Sequence, residues 1–160
     1  MAITVAWFCL HLSRRGRLSG VADRIVVEKR VHRMKIFRNG RLLCDYRVAL
    51  GRSPAGHKQV EGDQRTPEGL YVIDFHKADS DFHRALHISY PNADDIARAR
   101  RRGISPGGDI MIHGLPNGMA WIGRAHLVRD WTAGCIAVTD GEIDEIWQLI
   151  PDGTPIEIGP

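Results

Sequence analysis

Asp130-Trp131-Thr132-Ala133-Gly134-Cys135-Ile136-Ala137-Val138 is the stretch around which the rest of the chain is read. Upstream, Ile110-Met111-Ile112-His113-Gly114 has the same form: a short apolar run meeting a glycine and one reactive side chain. Cys135 stands between Gly134 and the β-branched Ile136, which suggests a sulfur at the mouth of a turn beside a buried segment. A thiol does nucleophilic work only as the thiolate, and free cysteine titrates near about pH 8.5. An imidazole is the common acceptor of that proton. His113, closing its own apolar strand signal, is the candidate base. His126 competes for the role but lacks the strand-then-glycine setting.

His113-Gly114 and, after a loop, Thr132-Ala133-Gly134-Cys135-Ile136 resemble the signature of the L,D-transpeptidase (YkuD-type) catalytic domain. Val48-Ala49-Leu50-Gly51, Gly62-Asp63-Gln64-Arg65-Thr66-Pro67-Glu68-Gly69 and Ile88-Ser89-Tyr90-Pro91-Asn92 are similar to its other recurrent blocks. The likeness therefore runs from Asp23 to Ile158. Two departures stand out. Family members often carry histidine where Ala133 stands and arginine or asparagine where Ala137 stands. The interval from His113 to Cys135 is also a few residues longer than is common.

The resemblance implies a mainly β fold with flanking helices, a β-sandwich-like catalytic domain. It implies Cys135 as nucleophile, His113 as proton donor and acceptor, and the Gly114 backbone carbonyl as the group that orients His113. Gly134, Thr132, Tyr90, Arg65 and Trp131 are the implied substrate contacts. The implied substrates are peptidoglycan stem peptides, acylating Cys135 with loss of D-alanine and passing the acyl group to an amine. With water as acceptor, the same site would be an L,D-carboxypeptidase or amidase. A rival from another class is a non-catalytic wall-binding module that keeps the fold. Ala133 and Ala137 argue for it, and retention of His113 and Cys135 argues against it. Backbone N–H groups around Gly134 and Cys135 are suited to receive an oxyanion. Carbapenems are implied as covalent inhibitors. No cofactor and no metal are implied, and the implied location is the cell envelope or periplasm.

A chain of 160 residues is expected to form one domain with a core of its own. A net charge of +3 permits attraction to anionic polymers but does not point to nucleic acid, and a monomer is expected. Cys9, Cys44 and Cys135 are an odd number without a Cys-x-x-Cys pair, which argues against a disulfide framework and leaves at least one thiol free. Ala2 to Leu12 is apolar but shorter than the roughly 20 residues a membrane span takes. It also lacks the leading basic residues and the trailing small residues of a secretory signal. Residues 1–22 are thus expected to be an arm or signal remnant with a linker, and residues 23–160 the catalytic domain. His76, His83 and His87 lack the acidic or thiolate residues that complete a zinc pattern, and His113, His126 and Cys135 would need a fourth ligand.

The pattern predicts strands over Ile25–Val27 and Met34–Arg38, then a type I′ turn at Asn39-Gly40. That turn would set Ile36 against Leu43, Phe37 against Leu42 and a half-buried Cys44 against Lys35, in a sheet covered on both sides. Gly51–Gly69 reads as a long ordered loop walling the cleft, with Lys58 and Arg65 solvated. Strands follow over Leu70–Phe75 and Ile88–Tyr90. A helix capped by Asn92 should run to about Arg102, its first turn acidic, and a further strand covers Asp109–His113. Gly114–Asp130 reads as a flexible wall over the cysteine. Thr139 and Glu142 form a capping box. Ile143, Ile146, Trp147 and Ile150 make a buried stripe, and Pro155–Ile158 is a closing strand.

Overall fold

The computed structural model describes residues 21–160; the predicted arm lies outside these but for its last two residues. Ala22 already belongs to the folded part, being buried with its N–H donating to the Leu149 carbonyl. Eight strands form one sheet: β1 (Arg24–Glu28), β2 (Arg33–Arg38), β3 (Arg41–Arg47), β4 (Gly69–Ser80), β5 (His83–Ile88), β6 (Met111–His113), β7 (Ile136–Ala137) and β8 (Pro155–Gly159). Their order is β3-β2-β1-β8-β4-β5-β6-β7, with β1/β8 and β6/β7 parallel and the other neighbours antiparallel. Among the described residues the helices are α1 (Ala93–Arg101) and α2 (Asp140–Leu149), with short 3-10 turns at Lys29–Val31 and Ala120–Val128. The mainly β architecture with flanking helices agrees with the fold read from the sequence.

The two ends of the sheet are drawn together by the chain that leaves β3. Ala49 bridges Ala137 beside β7, and Gly51 bridges Thr132. The sheet is therefore curled, and its closing seam lies beside Cys135. Inside the curl Ile25, Met34, Ile36, Leu50, Ile73, Leu86, Ile112, Ile136 and Ile146 are fully buried. Each fully buried side chain of this kind contributes about 1.5–3 kcal/mol over an exposed one.

Asn39 and Gly40 both have positive φ, as a type I′ turn requires. Phe37 pairs with Leu42 as predicted, but a bulge after Ile36 changes the rest of the register. Ile36 faces Cys44 instead of Leu43, and Lys35 faces Asp45. The extra residue places Leu43 and Cys44 together in the core. Cys44 is wholly buried rather than half-buried, and it is disulfide-bonded, so the argument against disulfides from the cysteine count fails at this residue.

Burial departs from expectation on β4. Tyr71 and Ile73 face the core, whereas Leu70 is 73% exposed and Val72 and Phe75 also reach solvent. The sheet is not covered on both sides there. The second predicted strand starts earlier than read and ends at Ile88, because Pro91 and the α1 cap follow at once. The cap itself is as predicted: Asn92 accepts from the Asp95 N–H, and the Asp95 carboxylate accepts from the Asn92 N–H. Thr139 and Glu142 likewise cap α2 reciprocally. The stripe on α2 buries Ile143, Ile146 and Leu149. Trp147 is only partly buried, with the Arg84 guanidinium 5.2 Å from its ring centre.

Candidate active site

Two parallel strands bring the reactive pair together. Ile112 lies beside Ile136, and His113 beside Ala137. Side chains alternate along a strand, so Ile112 and Ile136 enter the core while His113 and Cys135 emerge on the opposite face. Strand geometry puts their Cα atoms about 8 Å apart, a gap that a thiol and an imidazole can close between them. Cys135 is partly exposed, with Sγ 3.5 Å from the Asp109 carbonyl, and is the free thiol among the described residues.

The turn before Cys135 is set by Thr132 and Gly134. Thr132 Oγ1 donates to the Cys135 carbonyl at 2.7 Å and accepts from the Gly134 N–H at 3.1 Å. Thr132 is buried and its hydroxyl is spent inside the turn. Gly134 has φ +141°, and a Cβ there would lie 2.8 Å from the Arg65 carbonyl oxygen. Three backbone segments meet at this point. A Cβ on Gly51 would strike the Gln64 carbonyl and come within 3.1 Å of the Gly134 Cα. Only glycine at both positions allows the approach.

The loop that supplies Gln64 and Arg65 is held by a carboxylate. Asp63 accepts from Lys58 Nζ at 2.8 Å and from the N–H groups of Gln59, Val60 and Arg65. Burial alone would raise its pKa. The Lys58 ammonium and the three backbone donors outweigh that and hold it at about 2. Lys58 is 3% exposed, which corrects the expectation of a solvated lysine. The Arg65 guanidinium reaches toward Gly56, so this residue touches the cysteine turn through its main chain. Tyr90 is buried, its hydroxyl donating to the Pro106 carbonyl and its ring edge-on to Tyr71 and His57. It braces the segment that leads to Asp109.

His113 is buried, and its Nδ1 lies 2.7 Å from the Gly114 carbonyl. A carbonyl only accepts, so Nδ1 carries the proton and Nε2 of the neutral ring is a free acceptor. Burial pushes the His113 pKa down to about 4, against the Gly114 bond and with a small push from His126. Burial also raises the Cys135 thiol above its ordinary value. The resting pair at neutral pH is therefore thiol and imidazole, not thiolate and imidazolium. Gly114 must be glycine for a steric reason: a Cβ would sit 2.7 Å from the Asp140 carboxylate and 3.0 Å from the Phe82 carbonyl. Asp140 instead accepts from the Leu115 N–H at 2.8 Å.

Aromatic rings enclose the imidazole. Phe82 lies 4.4 Å from the His113 ring centre and Trp131 5.7 Å, the latter edge-on. The Trp131 indole N–H donates to His126 Nδ1 at 3.3 Å. That bond gives neutral His126 its proton on Nε2, and Nε2 is buried with no partner among the described residues. An unsatisfied donor of this kind costs about 1–3 kcal/mol. The segment carrying His126 is not irregular: it contains the 3-10 turns of Ala120–Val128, kinked at Gly123. Beside it opens a cleft of about 540 Å³, lined in part by Leu115, His126 and Trp131 but not by Cys135.

Phe82, Asp109, Asp63 and Asp130 are site residues that sequence reasoning passed over. Asp130 accepts from the Leu50 N–H at 2.8 Å and bonds His32 at 2.9 Å, tying the cysteine turn to the curled edge. Gly62-Asp63 after Lys58 was a readable hint of a loop clasp, whereas Phe82 carried no local signal. His76, His83 and His87 stay apart, each with its own carboxylate: Asp152, Asp144 and Asp74. Among the described residues no cluster of three or more His, Cys, Asp or Glu is placed to hold a metal ion. No helix among them is long and apolar enough to cross a membrane.

Comparison with known proteins points to one family. YafK of Escherichia coli K12, whose L,D-transpeptidase name is provisional, is 32% identical over 111 residues, covering 68% of this chain and 37% of YafK. The K307A mutant of the helical cell shape determining protein Pgp2 from Campylobacter jejuni superposes with a TM-score of 0.65 at 25% identity, over 88% of this chain and 47% of that one. An L,D-transpeptidase from Mycobacterium smegmatis shares the fold at a TM-score of 0.57 and 13% identity, over 87% of this chain and 59% of that one. The chain thus spans about a third to three-fifths of the length of these relatives. The model of the L,D-transpeptidase catalytic domain matches residues 22–158, and with that match the chain belongs to the YkuD family of L,D-transpeptidases.

Proposed function

We propose that this domain is an active cysteine L,D-transpeptidase of the cell envelope, working on peptidoglycan stem peptides. The observation that carries the reading is the His113 tautomer. The Gly114 carbonyl holds the Nδ1 proton, so the free Nε2 lone pair is on the same sheet face as Cys135. As the thiol attacks the carbonyl of the L-centred diamino acid residue, the S–C bond forms and His113 Nε2 takes the thiol proton. The Gly134 N–H is held by Thr132 Oγ1, so the Cys135 N–H is the turn's donor for the developing oxyanion. The C–N bond then breaks, His113 returns the proton to the leaving amine, and D-alanine departs. An acceptor amine reverses the sequence, giving its proton to His113 and expelling the Cys135 sulfur from the thioester. Trp131 walls the site beside the base, while Thr132, Tyr90 and the Arg65 main chain hold its shape.

A neutral resting pair suits this order of events. Its proton moves during attack, when substrate has displaced water, and no charged pair has to be kept in a buried site beforehand. The test is incubation with a defined disaccharide tetrapeptide, with and without an added amine, and mass analysis of the products. Transfer replaces alanine by the amine, and hydrolysis leaves the tripeptide. Mere binding changes no mass and would overturn the proposal, as would turnover by a folded Cys135→Ala protein.

A further inference from the structure

We propose that Asp140 is a positioning residue for acyl transfer at Cys135: its carboxylate fixes the Gly114–Leu115 peptide, and the carbonyl of that peptide fixes the proton-accepting ring of His113. The base is then oriented by an acid acting through one peptide unit, in place of a carboxylate that touches the imidazole itself. This inference rests on the acyl-transfer reading above, in which His113 is the base.

The two hydrogen bonds concerned belong to opposite ends of one peptide. Its carbonyl, on Gly114, accepts from His113 Nδ1 at 2.7 Å, and its N–H, on Leu115, donates to Asp140 Oδ1 at 2.8 Å. A trans peptide is planar, with its carbonyl and N–H pointing opposite ways, so an acceptor that pins the N–H also aims the carbonyl. The adjoining backbone groups are taken by main chain. The His113 carbonyl accepts from the Val138 N–H at 3.0 Å, and the Gly114 N–H donates to the Phe82 carbonyl at 3.1 Å. The Gly114–Leu115 unit is instead held at both ends by side chains.

Glycine makes that hold necessary. The missing Cβ at Gly114 leaves room for the carboxylate, since a methyl there would lie 2.7 Å from Asp140 Oδ1. The same glycine leaves the backbone beside the peptide free to rotate. Rotation would turn the carbonyl away from Nδ1, and the neutral ring could then carry its proton on Nε2, where it cannot take one from the thiol. Asp140 opposes that rotation. Its charge at the N–H end also polarises the peptide, which makes the carbonyl a stronger acceptor when the ring becomes imidazolium. The plainer role of Asp140 is that of an acid in the first turn of α2, favourable beside a helix N-terminus. Its Oδ1 is nevertheless turned out of the helix to a segment 25 residues upstream, which the helix dipole does not require.

The test reads two quantities: the His113 tautomer in the resting protein, by nitrogen NMR with the ring identified through His113→Gln, and the rate of Cys135 acylation by a tetrapeptide donor, by mass spectrometry. In the wild type the proton should be on Nδ1. Asp140→Ala should move a large share of it to Nε2 and slow acylation roughly a hundredfold. Asp140→Asn keeps an oxygen for the Leu115 N–H, so it should keep the tautomer and lose only severalfold in rate. Asp140→Glu keeps the charge at the start of α2 but carries it one methylene farther, past the Leu115 N–H. It should fold like the wild type and still shift the tautomer. Thr139→Ala removes the α2 cap without touching that peptide, and should lower the melting temperature with the tautomer unchanged. A wild-type tautomer in folded Asp140→Ala or Asp140→Glu protein overturns the proposal, as does an equal shift in Thr139→Ala. If the wild-type protein forms no thioester, the functional reading fails, and the tautomer comparison still judges Asp140 by itself.

Discussion

Lys58 and Asp63 form a 2.8 Å ion pair beneath the loop whose Arg65 carbonyl packs on Gly134. The pair lies five residues apart in sequence but acts across the fold, because it sets how closely that loop approaches the cysteine turn. Removing one partner leaves the other buried and uncompensated, which is far costlier than losing an exposed bridge.

Asp63→Asn should therefore destabilise the protein by about 3 kcal/mol at pH 7. The Asp63 pKa is depressed in the folded state, so its stabilising effect is present above the unfolded value near pH 4. It is lost as pH falls through about 2. Urea unfolding at several pH values should show the gap between wild type and variant closing across that window. The titration itself accounts for about 2 kcal/mol of the gap. A gap that stays constant down to pH 2 would show that Asp63 is not held as an anion.

His113 gives a second test of the same sign at higher pH. Burial lowers its folded pKa to about 4, so between about pH 6.5 and 4 the unfolded chain binds the extra proton. Stability should fall by about 3 kcal/mol as pH drops through that window, and His113→Gln should abolish this slope. The same variant should remove acylation, whereas His126→Gln should weaken it only. Total loss in both variants would show that the two imidazoles act as one unit.

Cys135 should behave as a weakly acidic thiol until substrate arrives. Alkylation by iodoacetamide should be slow at pH 7 and keep rising above pH 9, since burial raises the thiol. A rate already at its plateau by pH 7 would mean a preformed thiolate. Cys135→Ala should leave the melting temperature within a few degrees of wild type while eliminating turnover.

Gly134→Ala should cost more than 2 kcal/mol and nearly all activity. The φ of +141° is closed to an L side chain, and the new methyl would collide with the Arg65 carbonyl. Chemical denaturation and the peptide mass assay check the two effects separately. Gly141→Ala, where a Cβ meets nothing within 4 Å, is the matching control and should be near neutral.

Carbapenems provide a covalent readout of the nucleophile. A strained lactam carbonyl should acylate Cys135, adding the full inhibitor mass, and the adduct should vanish in Cys135→Ala and form slowly in His113→Gln. Intact-mass spectrometry measures this directly. An adduct at another residue would overturn Cys135 as the nucleophile.

Much of the site was readable in the chain because its determinants are local. The His113-Gly114 and Gly134-Cys135 pairs each end or begin a short strand, and a carbonyl one residue along can orient an imidazole without help from elsewhere. The Asn92 N-cap and the Thr139–Glu142 capping box were legible for the same reason, as a bond over three residues depends on nothing outside them. The Asn39-Gly40 turn was equally plain.

What tertiary structure decided was register, burial and charge state. The bulge after Ile36 is chosen by which side chains fill the core, so periodicity alone misplaced Cys44. Lys58 reads as a surface residue until the fold supplies Asp63 and covers both. The neutral state of His113 and the raised thiol of Cys135 come from dehydration by Phe82, Trp131 and the curled sheet, residues far apart in sequence. Desolvation acts through space on whatever the fold brings near. A chain therefore announces which groups can react, and only its folding sets the protonation states from which they start.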